Sequence, residues 1–203
     1  MTARPVRIVL ATRNRGKIDE LRRILADLPA ELVAMDELGL DSPEETGSTF
    51  EDNALLKARA VAAATGWAAL ADDSGLEVDA LDGAPGVDSA LFAGVHGDDD
   101  ANLRKVLDLM RDVPDGQRRA RFVCVAALVA PDGREWVQRG VMEGALARAP
   151  AGAAGFGYDP IVVGVGDTRT NAQLPPHEKD ARSHRGQAFA ALVPLVGELL
   201  GRT

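Results

Sequence analysis

The sequence predicts an α/β fold built on a mixed sheet with flanking helices. Three observations carry that reading. The N-terminal third alternates short apolar runs with segments of helical period, a βαβ order. The middle of the chain holds two strand-like runs around Pro131-Asp132-Gly133, a hairpin signal. The chain then closes on a long apolar helical run. Its 203 residues suit one domain, residues 1–203, folded as one body or as two small lobes sharing a core.

Taken in order, Val6 to Ala11 is short and rich in β-branched residues, and reads as a buried strand. The polar loop Thr12-Arg13-Asn14-Arg15-Gly16-Lys17 leads into a helix with Ile18, Leu21, Ile24, Leu25 and Leu28 on one face, which Pro29 stops. Glu31 to Met35 reads as a second strand. After a loop carrying Glu44-Glu45, Ser48-x-x-Glu51 has the form of a capping box and opens an Ala-rich helix that ends near Gly66. Trp67 to Ala71 is expected to be a strand that stops at Asp72-Asp73-Ser74-Gly75, with a separate short strand from Leu76 to Leu81 and a turn at Gly83-Ala84-Pro85-Gly86. Asp98 to Met110 is a helix with Leu103, Val106, Leu107 and Met110 on one face, and the run Asp98-Asp99-Asp100 suits its N-terminus. Arg121 to Ala130 and Arg134 to Glu143 form the hairpin. Gly152 to Gly166 is a glycine-rich stretch, and Ser183 to Leu200 is a helix that Pro194 should kink.

Composition excludes several classes. A net charge of −8 argues against a nucleic-acid-binding surface, which needs a basic stripe, but not against a small anionic ligand held by local donors. The lone Cys124 lies in an apolar run, reads as a buried, inert thiol, and permits no intrachain disulfide, in keeping with a reducing cytosol. Val6 to Ala11 is too short for the core of a signal peptide, and no apolar run reaches the roughly 18 residues of a membrane span. With only 4% aromatic residues, the core must be built from Ala, Val and Leu.

Several constellations point to chemistry. The loop Thr12 to Lys17 follows a strand and opens a helix, a place where backbone N–H groups bind phosphate; it lacks Walker spacing and reads equally as an ordinary connection. Asp72-Asp73 would repel one another at a strand end unless a cation or donor compensates, and Mg²⁺ takes such oxygen ligands; a turn with a capping Asp is the alternative. Glu44-Glu45 offers further carboxylates, or simply charge near a helix N-terminus. Lys57 lies near Ala54, Ala58 and Val61, either solvated or turned inward toward phosphate. In Gly155-Phe156-Gly157-Tyr158-Asp159-Pro160 the final Pro breaks a dinucleotide fingerprint, but Phe156 or Tyr158 could stack on a base. Ser183 is a plausible N-cap, and the donors of Lys179, His184 and Arg185 could read purine acceptors or face solvent. His96 and His177 have no metal-ligand spacing.

In their order along the chain these segments resemble the inosine triphosphate pyrophosphatase family, the dITP/XTP pyrophosphatases that act on non-standard purine triphosphates. The resemblance covers about Val6 to Leu200. It rests on Glu44-Glu45-Thr46-Gly47 followed by Thr49-Phe50-x-x-Asn53-Ala54-x-x-Lys57-Ala58, on Asp72-Asp73-Ser74-Gly75, on Gly155-Phe156-Gly157-Tyr158-Asp159-Pro160, on Glu178-Lys179 and on Ser183-His184-Arg185. It implies a two-lobed fold around a long mixed sheet with a nucleotide cleft between the lobes. It also implies a cytoplasmic, homodimeric, Mg²⁺-dependent hydrolase that splits ITP, dITP and XTP into monophosphate and pyrophosphate, with no nucleic-acid or membrane partner.

By position, the resemblance makes Asp73, Lys57 and Glu45 catalytic and gives the metal to Glu44 and Asp73, with Asp72 close by. Thr12, Arg13, Asn14, Arg15, Gly16 and Lys17 would hold the phosphates. Ser74, Phe156, Gly157, Tyr158, Asp159, Lys179, His184 and Arg185 would form the nucleotide pocket. Two departures stand out. Arg13 replaces a family Gly, and would be strained if that position needed a positive φ. Leu91 in Ser89-Ala90-Leu91 replaces a family Arg, which removes a cation. Rival readings are a pyrophosphatase for modified pyrimidines or standard triphosphates, and a nucleotide sensor that binds without cleaving.

Overall fold

The computed structural model describes residues 6–201. Among the described residues, six strands and five α-helices follow in the order β1 (Val6–Leu10), α1 (Arg15–Ile24), β2 (Ala30–Ala34), α2 (Phe50–Thr65), β3 (Ala68–Val78), α3 (Asp99–Leu109), β4 (Arg119–Val129), β5 (Glu135–Leu146), β6 (Val162–Gly164), α4 (Pro176–Arg182) and α5 (His184–Leu200). The strands form one sheet in the order β2-β1-β3-β4-β5-β6. β1 runs parallel to both β2 and β3, and β5 runs antiparallel to β6, so the sheet is mixed, as the alternation of elements predicted.

The chain divides into two compact units. The first comprises residues through Asp73, Cys124–Gly140 and the chain from Arg185 onward; the second comprises Ser74–Val123 and Val141–His184. In the first unit, Ile18, Leu21 and Leu25 of the α1 region and Ala188, Phe189, Leu192 and Val196 of α5 pack with Ile8, Leu10, Leu70, Ala126 and Leu128 of the sheet. Among the described residues Phe189 is the aromatic member of that buried cluster, and the rest of it is aliphatic apart from Cys124. In the second unit, Leu103, Val106 and Met110 of α3 pack with Leu76, Val78, Phe122, Tyr158 and Ile161.

Local rules account for most elements. Asn14 caps α1, its side chain accepting from the Lys17 N–H. Asp98 caps α3 in the same way, which explains the acidic run there. α2 ends at Gly66, whose φ of 69° closes the helix in the left-handed region.

Two expectations need correction, and one helix was not anticipated. The cap of α2 is Thr49, not Ser48: its hydroxyl accepts from the Asp52 N–H and donates to the Asp52 carboxylate, and the one-residue shift puts Phe50 in the first turn, where it is buried. β3 is one strand of 11 residues, not two short ones, because its acidic residues are compensated by buried cations and Gly75 does not break the extended backbone. α4 carried no apolar period to reveal it; Pro176 at its start and Arg169, Arg182, Asp167 and Glu178 in mutual ion pairs support it instead. Ser183 stands in extended conformation directly before α5, the place expected of its N-cap, and its N–H, bonded to the Lys179 carbonyl, closes α4. Pro194 lies inside α5, which continues past it to Leu200. Among the described residues no helix is long and apolar enough to cross a membrane.

Candidate active site

Asp72 and Asp73 lie inside β3 and not at its end. Successive side chains of a strand point to opposite faces, so the two carboxylates do not form a shared chelate. Ala68, Leu70 and Asp72 share one face; Ala69, Ala71 and Asp73 share the other.

Asp72 is fully buried on the α1–α5 face. Its Oδ2 meets Lys17 Nζ at 3.0 Å and Arg185 Nη2 at 3.1 Å, and the Cys124 thiol approaches it at 3.8 Å. Burial alone would raise this carboxyl, but Lys17, Arg185 and Lys57 together hold it well below the usual carboxylate range. Its other oxygen, Oδ1, is buried without a hydrogen-bond partner among the described residues. Arg185 is only 1% exposed, and its Nη1 also binds Glu20 Oε2 at 2.5 Å. The guanidinium that was expected to read a purine therefore points into the core, between two buried carboxylates. Cys124 is a buried free thiol, and burial pushes it above its ordinary range.

Asp73 faces α2. The buried side of that helix runs Phe50, Asn53, Ala54, Lys57, Ala58, Val61, the helical period of one stripe, and places two polar residues within it. Asn53 Nδ2 donates to Asp73 Oδ2 at 3.1 Å, and Lys57 Nζ lies 3.6 Å from Asp73 Oδ1 and 3.1 Å from Glu45 Oε1. Burial raises the Asp73 carboxyl above its ordinary value, against the pull of Lys57 and Lys17. Burial would lower Lys57, but Asp73, Glu45 and Asp72 outweigh it, so Lys57 stays protonated. It is the inward-facing lysine of the two readings, 4% exposed, and serves as a fixed positive charge.

Glu44 is exposed on the loop before α2. Among the described residues no three His, Cys, Asp or Glu side chains converge to hold a metal ion. The donor set is nevertheless hard oxygen, and one or two carboxylates suit a cation such as Mg²⁺ that keeps water and phosphate oxygens in its shell.

The loop Thr12–Lys17 sits at the N-terminus of α1. Thr12 is buried and its hydroxyl accepts from the Asn14 N–H at 3.2 Å. Arg15 lies 3.7 Å from Asp36, and Gly16 is half-buried. Arg13 is exposed and pairs with Asp41 at 3.1 Å. Asp82 alone among described non-glycine residues has a positive φ, so Arg13 carries no strain in place of the family's Gly.

The second unit holds another polar cluster. Asp159 is 3% exposed; its carboxylate binds Lys179, accepts from the Phe156 N–H at 2.9 Å and from Asn171 Nδ2 at 3.3 Å. It organises the loop from within. A Cβ on Gly155 would stand 2.1 Å from Asp159 Oδ2, and Gly155 has φ +75°, so glycine is required there twice over. Lys179 Nζ lies 5.0 Å from the Phe156 ring centroid, a cation–π distance. Gly157 donates to Asp99 at 2.8 Å.

Tyr158 is not a stacking platform. It is 5% exposed, belongs to the second unit's core, and donates its hydroxyl to the Ser89 carbonyl at 2.8 Å. Half-buried Phe156 keeps that possibility. His184 is buried and stacks on Phe122, ring centroids 4.8 Å apart. Ser74 is half-buried on β3, and Leu91 is 48% exposed.

Sequence reasoning missed Glu20, Asn53 as a partner of Asp73, Phe122 and Ser89. Glu20 carried one signal, a carboxylate between Ile18 and Leu21 on the apolar side of α1.

Comparison with known proteins is consistent along the whole chain. The model of the Ham1 family matches residues 8–195. A protein of Streptomyces coelicolor named dITP/XTP pyrophosphatase is 58% identical over 96% of this chain and 99% of its own. A HAM1 protein from Coxiella burnetii superposes with a TM-score of 0.85 at 44% identity, over 95% of this chain and 99% of that one. A nucleoside-triphosphatase, also named dITP/XTP pyrophosphatase, from Mycobacterium abscessus superposes with a TM-score of 0.74 at 52% identity, over 93% and 100%.

Proposed function

The chain belongs to the Ham1 family, and from that premise we propose that it is a nucleoside-triphosphate pyrophosphatase. Its substrates are purine triphosphates with a 6-oxo base, dITP, XTP and ITP, which it splits into monophosphate and pyrophosphate with Mg²⁺. In this reading it is a cytoplasmic homodimer that clears deaminated purines from the nucleotide pool. The observation that carries the reading is Lys57, held protonated between Glu45 and Asp73, beside a second lysine, Lys17, on Asp72. Such a set of fixed charges suits phosphate transfer, which needs positioning and neutralisation more than covalent chemistry.

The reaction is in-line attack of water on the α-phosphorus. Asp73, oriented by Asn53 and Lys57, accepts the proton of the attacking water. Lys17 and Lys57 neutralise the leaving pyrophosphate, and the N-terminus of α1 adds its dipole. Asp73, with Glu44 and Glu45 alongside, would hold Mg²⁺, which would supply further charge neutralisation for the phosphates. In the second unit, Phe156 offers a ring face, and Lys179 and His184 offer donors suited to the 6-oxo group.

The test is pyrophosphate release from ITP, dITP, XTP, ATP and GTP, with and without Mg²⁺. Release from the first three, only with the metal, is expected. Tight binding of ITP without release would replace the enzyme by a sensor. Base selection gives a second expectation. A donor facing O6 leaves the 6-amino group of adenine badly paired, at about 1–3 kcal/mol. His184→Ala should therefore reduce the ITP to ATP ratio of kcat/KM by about tenfold. An unchanged ratio would remove His184 from base recognition.

A further inference from the structure

Asn53 has no assigned role, yet the acidic loop and Asp73 both rest on it. It is 4% exposed, and a buried amide persists where its donors and acceptors are met. Two elements meet it from opposite ends: Oδ1 accepts from the Gly47 N–H at 2.8 Å, and Nδ2 donates to Asp73 Oδ2 at 3.1 Å. The amide has a direction. Because a backbone N–H takes Oδ1, the NH₂ must face the carboxylate; the flipped amide would set donor against donor and oxygen against oxygen.

A second observation comes from the other partner. A Cβ on Gly47 would stand 2.6 Å from Asn53 Oδ1 and 2.5 Å from Asp52 Cβ, and Gly47 has no left-handed φ. Close approach, not backbone conformation, requires glycine there. Two residues before it, Glu45 reaches Lys57, one helical turn beyond Asn53 on α2. The loop is thus tied to α2 at two points, and both tie points also reach Asp73, one at each carboxylate oxygen.

We propose that Asn53 is a positioning residue whose directed amide sets the loop carrying Glu44-Glu45 in register with Asp73, with Gly47 as its obligatory neighbour. This rests on the reading of Asp73 as the reactive carboxylate. Asn53 acts through Asp73 and through the loop, and touches no substrate.

Three substitutions separate its two tasks. Asn53→Asp keeps the acceptor for Gly47 but removes the donor to Asp73. Gly47→Ala disturbs the loop contact and leaves that donor. Asn53→Ala removes both. Each variant is read by kcat and KM for ITP with Mg²⁺, by its melting temperature, and by the rate at which a glutamate-specific protease cuts the native protein after Glu44 or Glu45. Asn53→Asp should lower kcat by about 10- to 100-fold, the size of a misplacement effect, with KM and loop cleavage within about twofold of the parent. Gly47→Ala should speed loop cleavage by at least about fivefold, as a locally opened segment does. Asn53→Ala should show both changes, and adding Gly47→Ala to it should speed cleavage no further, because both remove one contact.

Asn53→Ala with loop cleavage and kcat within twofold of the parent overturns the proposal. So does additive cleavage in the double variant. If the parent protein releases no pyrophosphate from any triphosphate, the functional reading falls, while the cleavage comparison still decides whether Asn53 docks the loop.

Discussion

Asp73→Asn is expected to lower kcat for pyrophosphate release by about 10²–10⁴-fold, the usual worth of a positioned general base. The side chain keeps its shape, and its oxygen can still accept from Asn53. What disappears is the negative charge and the proton acceptor. Lys57 retains Glu45 at 3.1 Å, so the buried ammonium is not left alone and the fold should survive. Circular dichroism and thermal unfolding check that half of the expectation. A variant that keeps its structure and more than about a tenth of the parent's kcat would move the reactive centre away from Asp73.

Arg185→Met is expected to be strongly destabilising. It leaves Glu20 and Asp72 without their shared cation, and breaking a buried ion pair from one side costs about 3–5 kcal/mol. For a chain of this size each kcal/mol corresponds to about 2–4 °C in Tm, so a fall of roughly 6–20 °C is expected. The pH dependence has a definite sign. Asp72 has its folded carboxyl held below its unfolded value, so its contribution is complete above the ordinary carboxylate range and fades as pH falls through the folded value. In Arg185→Met the burial effect is less opposed and Asp72 protonates at higher pH. The deficit against the parent should therefore shrink as pH falls through the variant's raised carboxyl value, read as urea midpoints. Glu20→Gln added to Arg185→Met should recover part of the loss; no recovery would mean that the two residues act independently.

Local features of the fold were legible because they are written in neighbouring residues. The period of Ile18, Leu21 and Leu25 marks α1, the β-branched run marks β1, the turn at Pro131-Asp132-Gly133 marks the hairpin, and the acidic run at Asp98 marks the cap of α3. α4 escaped because the contacts seen on it, ion pairs with a preceding loop and the buried pair of Lys179 with Asp159, are polar and leave no hydrophobic period. In the candidate site, Lys57 was legible as a cation on an apolar stripe. Arg185 and Tyr158 were misread: each has an accessible-looking motif around it, and each is turned inward by a distant partner.

By itself the sequence determined the element types, the order of the motifs and the residue kinds available for phosphate chemistry. Only the tertiary structure decided what Asp72 and Asp73 do. One continuous strand sends them to opposite faces, where Arg185, 113 residues away in the chain, neutralises the first, and Asn53 and Lys57 of α2 orient the second. Strand alternation is a local rule, but whether a buried carboxylate stays charged depends on cations that arrive through packing, and no local pattern encodes them.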